Sequence, residues 1–206
     1  MLTDVHPILL ATTNTVVRVE TALSVLTVIA QFAAVTMFVT LVLAWMRPDG
    51  GAAQLLDRLA GSAMSVAWLV AAVATSGSLW FQFGAHFVPC ELCWFQRIAM
   101  YPLALLLGVA ALRRDTRFWI YGLSMSVVGG VVSAYHYQLE RFPNQHTLAC
   151  DVANPCTAIW FERFGYITLS MMALSGFVCI SALMVIARRT PPYSSGNIGQ
   201  GQVDHG

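Results

Sequence analysis

Charge is what this sequence has least of: only 10% of its 206 residues are Asp, Glu, Lys or Arg, against 57% hydrophobic residues and a mean hydropathy of +0.66. That balance excludes a soluble globular domain and predicts an all-α integral membrane protein. The eleven positive charges form no cluster beyond short pairs at the ends of apolar runs, and the net charge is +1, so nothing supports nucleic-acid binding. Residues 1–18 carry Asp4 and no basic start; they do not resemble the n-region of a signal peptide, and the first apolar run is expected to stay in the mature protein. An internal repeat and a phosphate-cradling glycine loop are also lacking.

What is present is a set of five apolar stretches long enough, or nearly so, to cross a bilayer: 21–46, about 59–83, 93–112, 118–139 and 164–187. Each is apolar around most of its circumference, as expected of helices in a membrane bundle. Seven arginines (Arg47, Arg58, Arg113, Arg114, Arg117, Arg188 and Arg189) fall on one side of this topology and four (Arg18, Arg97, Arg141 and Arg163) on the other. The richer side is expected in the cytoplasm of a cell membrane protein, so the connections 84–92 and 140–163 face outward. Aromatic residues gather at the outer ends, and the aromatic end of the second connection is expected to rest in the interface. The tail 190–206, rich in Pro, Gly, Ser and Gln, is expected to be disordered.

Four of the five cysteines lie in or at the edge of the outward connections. Pro89-Cys90-Glu91-Leu92-Cys93-Trp94-Phe95-Gln96-Arg97 leads into an uncharged run, 98–112, of 15 residues, too short to span by itself. A helix begun at Cys93 reaches about 20 residues and sets Arg97 about one turn inside the membrane boundary, where an arginine is costly. Cys93 and Arg97 then share a helix face, and a thiol at a helix start beside a positive charge is expected to be a reactive thiolate. The second pair stands in Cys150-Asp-Val-Ala-Asn-Pro-Cys156, where Asn154 and Pro155 favour a turn. Cys179, deep in the last run, is the odd fifth and reads as a packing residue.

Thiol–disulfide exchange needs an attacking thiolate, an accessible disulfide and a resolving thiol. Two pairs on the side where disulfides persist supply two stations in series, from a soluble protein dithiol through Cys150/Cys156 and Cys90/Cys93 to a lipid-soluble acceptor. Three other readings compete: a membrane scaffold stapled by two structural disulfides, a four-cysteine zinc site, and a quinone or vitamin K epoxide reductase of related bundle design. No metal is expected in an oxidising compartment. Arg97 alone also fits a snorkelling role, and His136, between Tyr135 and Tyr137, fits either an interfacial hydrogen bond or an acceptor pocket. Pro102 is expected to kink the third span and open space near its outer half.

Three segments together resemble a known family: Cys90-Glu-Leu-Cys93-Trp-Phe-Gln-Arg97-Ile-Ala-Met-Tyr101-Pro102-Leu, then Tyr135-His-Tyr-Gln-Leu-Glu140, then the loop pair with Phe164-Gly165-Tyr166-Ile-Thr. They resemble the DsbB family of disulfide-forming membrane oxidoreductases, its BdbC-like branch above all, over roughly residues 57–189. The resemblance implies a four-helix bundle that reoxidises a thioredoxin-fold, DsbA-like protein and reduces ubiquinone or menaquinone. By position it implies Cys93 as the thiolate facing the quinone, Cys90 as its disulfide partner, Arg97 as a quinone-binding residue and His136 as a weaker one. Cys150 is implied to meet the soluble partner and Cys156 to exchange with Cys90; their close spacing leaves the order of these two open. The chain then divides into an extension with an additional helix, 1–52, a four-helix core, 53–189, and the tail 190–206. The additional helix is either a fifth span or, with a start at Met46, absent.

Overall fold

The computed structural model of the chain describes residues 5–145, 150 and 155–189, with side chains from Thr13 onward. The expected disorder of 190–206 and the turn at Asn154 fall outside the described residues. Among the described residues five α-helices run in chain order, all long and apolar enough to cross a membrane: α1 Val5–Met46, α2 Gly51–Phe83, α3 Glu91–Arg113, α4 Trp119–Arg141 and α5 Leu169–Ala187. A 3-10 turn, Thr116–Phe118, precedes α4, with the Asp115 side chain accepting from Arg117 N–H. The protein is a multi-pass, all-α membrane protein: a four-helix bundle, α2 to α5, with α1 laid against α2 and α5.

Hydropathy located the spans but not the helix ends. The helix at the cysteines begins at Glu91 rather than Cys93, because the Cys90 sulfur takes the N-cap position and accepts the backbone N–H of Cys93. The last helix begins at Leu169, not 164. Phe164 and Gly165 adopt left-handed backbone (φ 53° and 76°), and Arg163 and Ile167 exchange both backbone hydrogen bonds at 2.9 Å, so no helix can pass through them. Thr168 then caps α5 at Met171 N–H. At the other extreme α1 and α2 extend well before residues 21 and 59, since a helix continues through polar residues such as Thr15, Arg18 and Gln54 that a bilayer would not hold.

The bundle core is filled by Leu103, Leu107, Phe177, Ile180 and Met184, all fully or almost fully buried. It closes because α4 presents a stripe of small buried residues, Gly122, Ser126, Gly129 and Ser133, to α5. A Cβ on Gly129 would sit 2.3 Å from the Phe177 ring, so this crossing needs glycine. The outer surface carries Phe32, Phe38, Trp45 and Leu105 well exposed, as suits side chains solvated by lipid. Cys179 is a free, buried member of the core, as a packing residue would be. At the cysteine end the second connection folds back on the bundle: Trp160 stacks on Phe87 at 4.7 Å, and Phe161 meets Phe81 at 5.4 Å. These rings pack on protein as well as facing outward, which is how the connection comes to lie over the dithiol.

Candidate functional site

Four cysteines converge at one end of the bundle. Cys150 and Cys156 form a disulfide with Cα atoms 5.8 Å apart. Cys90 and Cys93 are a dithiol, their sulfurs 3.0 Å apart, close enough to share one S–H proton. Cys90 and Cys156, both buried, pack in one cluster with Leu92 and Leu139, with Cys93 and Cys150 at its edge. The connection between α4 and α5 thus places the second pair directly on the first.

The donors around Cys90 decide where the dithiol's charge rests. Its sulfur receives the Cys93 N–H at 3.4 Å and lies 3.6 Å from His136 Nε2. The adjoining Cys93 thiol is the largest influence; together with His136 it outweighs burial and pushes the Cys90 thiol from 9.0 down to about 4. The direction of this shift places the thiolate on Cys90 rather than at Cys93, where it was expected, with the Cys93 thiol and His136 as the main causes and the N-cap backbone N–H a smaller one. Arg97 does not turn to a sulfur. Its Nε donates to Ser78 Oγ at 3.0 Å, its Nη2 to the Ser78 carbonyl at 3.3 Å and its Nη1 to Gln82 Oε1, while the guanidinium lies 5.3 Å from the Trp94 ring centre. At 9% exposure it is a buried cation, not a snorkelling one.

Two spaces flank the dithiol. On one side Cys93, Gln96 and Arg97 line a cavity of about 420 Å³, otherwise walled mainly by apolar residues of α1, α2 and α5. That volume lies within the range of small-molecule sites, about 300–1,000 Å³, and a few polar groups at one end of an apolar hollow is their usual design. Met100 and Tyr101, just before Pro102, are part of its wall. On the other side Cys90, Cys93, His136 and Glu140 border a void of about 10 Å³, near the lower limit for one water. His136 is thus placed against Cys90 and this void, and it does not line the large cavity.

His136 belongs to a network that sequence reading missed. Gln96 Nε2 donates to its Nδ1 at 3.1 Å, so Nε2 carries the hydrogen and faces the Cys156 carbonyl at 3.1 Å, Cys90 Sγ at 3.6 Å and Glu140 Oε1 at 3.9 Å. Glu140, buried, accepts from Thr168 Oγ1 at 2.6 Å and Ser170 Oγ at 2.5 Å. The signals were an acid four residues after a histidine in an apolar span, and a glutamine three after Cys93. Cys90, Cys93 and His136 also offer three ligand atoms within 4.8 Å of one another. To hold Zn²⁺ there, His136 would have to surrender Nε2–H and its bond to the Cys156 carbonyl.

A thiolate at so low a pKa has a direct readout. Alkylation of Cys90 in reduced protein, localised by peptide fragmentation, should proceed at a nearly constant rate between about pH 6 and pH 9, whereas an ordinary thiol slows about tenfold per pH unit below its pKa. His136→Phe removes one donor, and the rate should then fall toward acid. A steep slope already in the wild type would show that these donors do not hold the charge.

Comparison with known proteins points to one family. The family model "Disulfide bond formation protein DsbB" matches residues 60–187. The chain is 40% identical over 122 residues to "Disulfide bond formation protein C" of Bacillus subtilis, covering 59% of this chain and 88% of that one. It is 39% identical over 136 residues to the "Probable disulfide formation protein" of Oceanobacillus iheyensis (65% and 94% covered), and 36% identical over 123 residues to "Probable disulfide formation protein C 2" of Bacillus anthracis (60% and 88%). No solved structure matches the chain.

Proposed function

Because the chain belongs to the DsbB family of disulfide bond formation proteins, and so is a disulfide-forming membrane oxidoreductase, we propose that it passes electrons from a soluble thioredoxin-fold dithiol protein of the DsbA kind to a membrane quinone. The observation that carries this reading is the two-sidedness of the inner dithiol. Cys93 shares the large cavity with Arg97, whereas Cys90 packs with Cys156. One sulfur is turned to a lipid-soluble acceptor and the other to the protein relay.

Electrons enter at the second pair. Cys150 is half-buried and Cys156 almost fully buried, which favours Cys150 as the sulfur attacked by the partner's thiolate. That attack breaks the Cys150–Cys156 bond and frees Cys156; the partner's second thiol then displaces Cys150 and leaves the partner oxidised. Cys156 next attacks Cys90 of an oxidised Cys90–Cys93 pair, releasing Cys93, and Cys150 resolves the mixed disulfide by closing on Cys156. The inner pair is now a dithiol with its thiolate on Cys90. Re-forming the Cys90–Cys93 bond from this thiolate and thiol releases two electrons and one proton; with the proton that Cys90 gave up on ionising, a bound quinone takes up two of each as it becomes quinol. Arg97, steadied by Ser78 and Gln82, offers fixed positive charge at the cavity's polar end, where negative charge develops. His136 and Glu140 form a path for the proton on the Cys90 side. In this reading residues 53–189 are the catalytic core, 1–52 an extension and 190–206 a tail, and the cysteine end faces outward from the cell membrane.

The test is turnover by purified protein given a reduced DsbA-like protein and a ubiquinone or menaquinone analogue. One protein disulfide should form for each quinone reduced. Folded protein that oxidises the partner with neither quinone would overturn the reading.

A further inference from the structure

The helix α1 lies outside the family match, which starts at residue 60, yet it forms one wall of the large cavity. Leu23, Leu26, Thr27, Ala30 and Ala33 all line it. Facing them on α2 are Val66, Leu69, Val73 and Ser78. The two helices run in opposite directions, and Leu23 lies so close to Gly77 that a Cβ there would meet its Cδ1 at 3.1 Å. Ala33 is consequently near the Val66 end and Leu23 near the Ser78 end. From Ser78 to Val66 the hollow follows α2 for on the order of 18 Å. Cys93, Gln96, Arg97 and Ser78 gather at one end, and beyond Thr27 toward the other end the α1 and α2 walls are Val, Leu, Ile and Ala. This is the shape of a site for a molecule with a polar head and a long apolar tail.

The wall is fixed rather than loosely laid on. Gln31 of α1 accepts the Tyr166 hydroxyl at 2.8 Å and donates to Ser175 of α5 at 3.0 Å. Glu20, buried, pairs with Arg163 at 2.8 Å, just before the turn that leads into α5. Polar groups buried in a membrane bundle hold a helix in one rotation, because any other leaves them without partners. The α1 face that carries Ala30 and Ala33 is therefore held toward the cavity.

We propose that α1 binds the apolar tail of the membrane acceptor and sets which tails the enzyme accepts, with the head at Cys93 and Arg97. The inference rests on the quinone reading above and adds a residue set that the four-helix core does not contain. Two experiments test it. In wild-type protein, a ubiquinone analogue with a photoreactive group at the end of its tail should label the α1 peptide around residues 26–33; label confined to α3, α4 or lipid, or no label while turnover continues, overturns it. In Ala30→Phe, which narrows the hollow from α1, the KM for a long-tailed ubiquinone should rise about tenfold or more, while the KM for a tail-less analogue with the same ring stays at the wild-type value. Val35→Phe, on the exposed face of α1, should change neither. Equal effects on the two quinones would overturn the inference and leave quinone reduction standing. Failure of the wild type to reduce either one would instead remove the reading beneath it.

Discussion

Replacing Cys93 by Ser should bring quinone reduction down to the uncatalysed background while the protein stays inserted and folded. The serine hydroxyl nearly matches the thiol in size, and residue 93 still supplies the backbone N–H that caps the helix through Cys90. What disappears is the second sulfur: without it no inner disulfide can form, and two electrons cannot leave together. The failure should have its own signature. The Cys90 thiolate, packed beside Cys156, can still attack the outer disulfide, displacing Cys150. With no thiol at position 93, only the freed Cys150 can undo this step, so alkylating Cys150 should trap a Cys90–Cys156 crosslink visible by non-reducing peptide mapping. Turnover retained in this variant would sink the relay as described. An inactive variant lacking the crosslink, with Cys90 still alkylatable, would keep Cys93 at the acceptor but remove the Cys90–Cys156 step.

The second large effect concerns Arg97. Arg97→Met keeps the length and apolar stem but removes the charge and the three hydrogen bonds to Ser78 and Gln82. Hydrogen bonds to a charged group contribute about 1.5–3 kcal/mol, so kcat/KM for quinone should fall roughly 10- to 100-fold. Steps upstream, such as reduction of the outer disulfide by the soluble partner, should keep their wild-type rate. Arg97→Lys should restore only part of the loss, because one ammonium cannot span the Ser78 hydroxyl, the Ser78 carbonyl and Gln82 as the planar fork does. Unchanged kinetics in Arg97→Met would mean that the guanidinium only anchors α3 to α2.

Much of this architecture was legible because it is local. The spans follow from uninterrupted hydropathy, which needs no knowledge of neighbours. The Cys-x-x-Cys at a helix start and Arg97 four residues on were readable from spacing alone, and so was the pairing of the outer cysteines as a possible second station. The ends of helices were not readable, since Phe164 and Gly165 stop α5 through backbone angles, and Cys90 starts α3 through a sulfur cap. Nor was the location of the thiolate: to the Cys93 thiol, the largest influence on Cys90, the fold adds His136, which approaches Cys90 from α4, 46 residues away in sequence.

By itself, then, the sequence determined a multi-span, all-α membrane protein with two cysteine pairs at one end, an arginine beside the inner pair and a resemblance to the DsbB family, and it left open whether the first apolar run is a fifth span. Only the tertiary structure decided which sulfur faces which space, that Glu140 and Gln96 complete the histidine's surroundings, and that α1 walls the cavity. The physical reason is the same in each case. In a bundle that is apolar on nearly every face, hydropathy does not say which faces meet; a few buried polar contacts do, Gln31 with Tyr166 and Ser175, and Glu20 with Arg163, across 135 to 144 residues of chain.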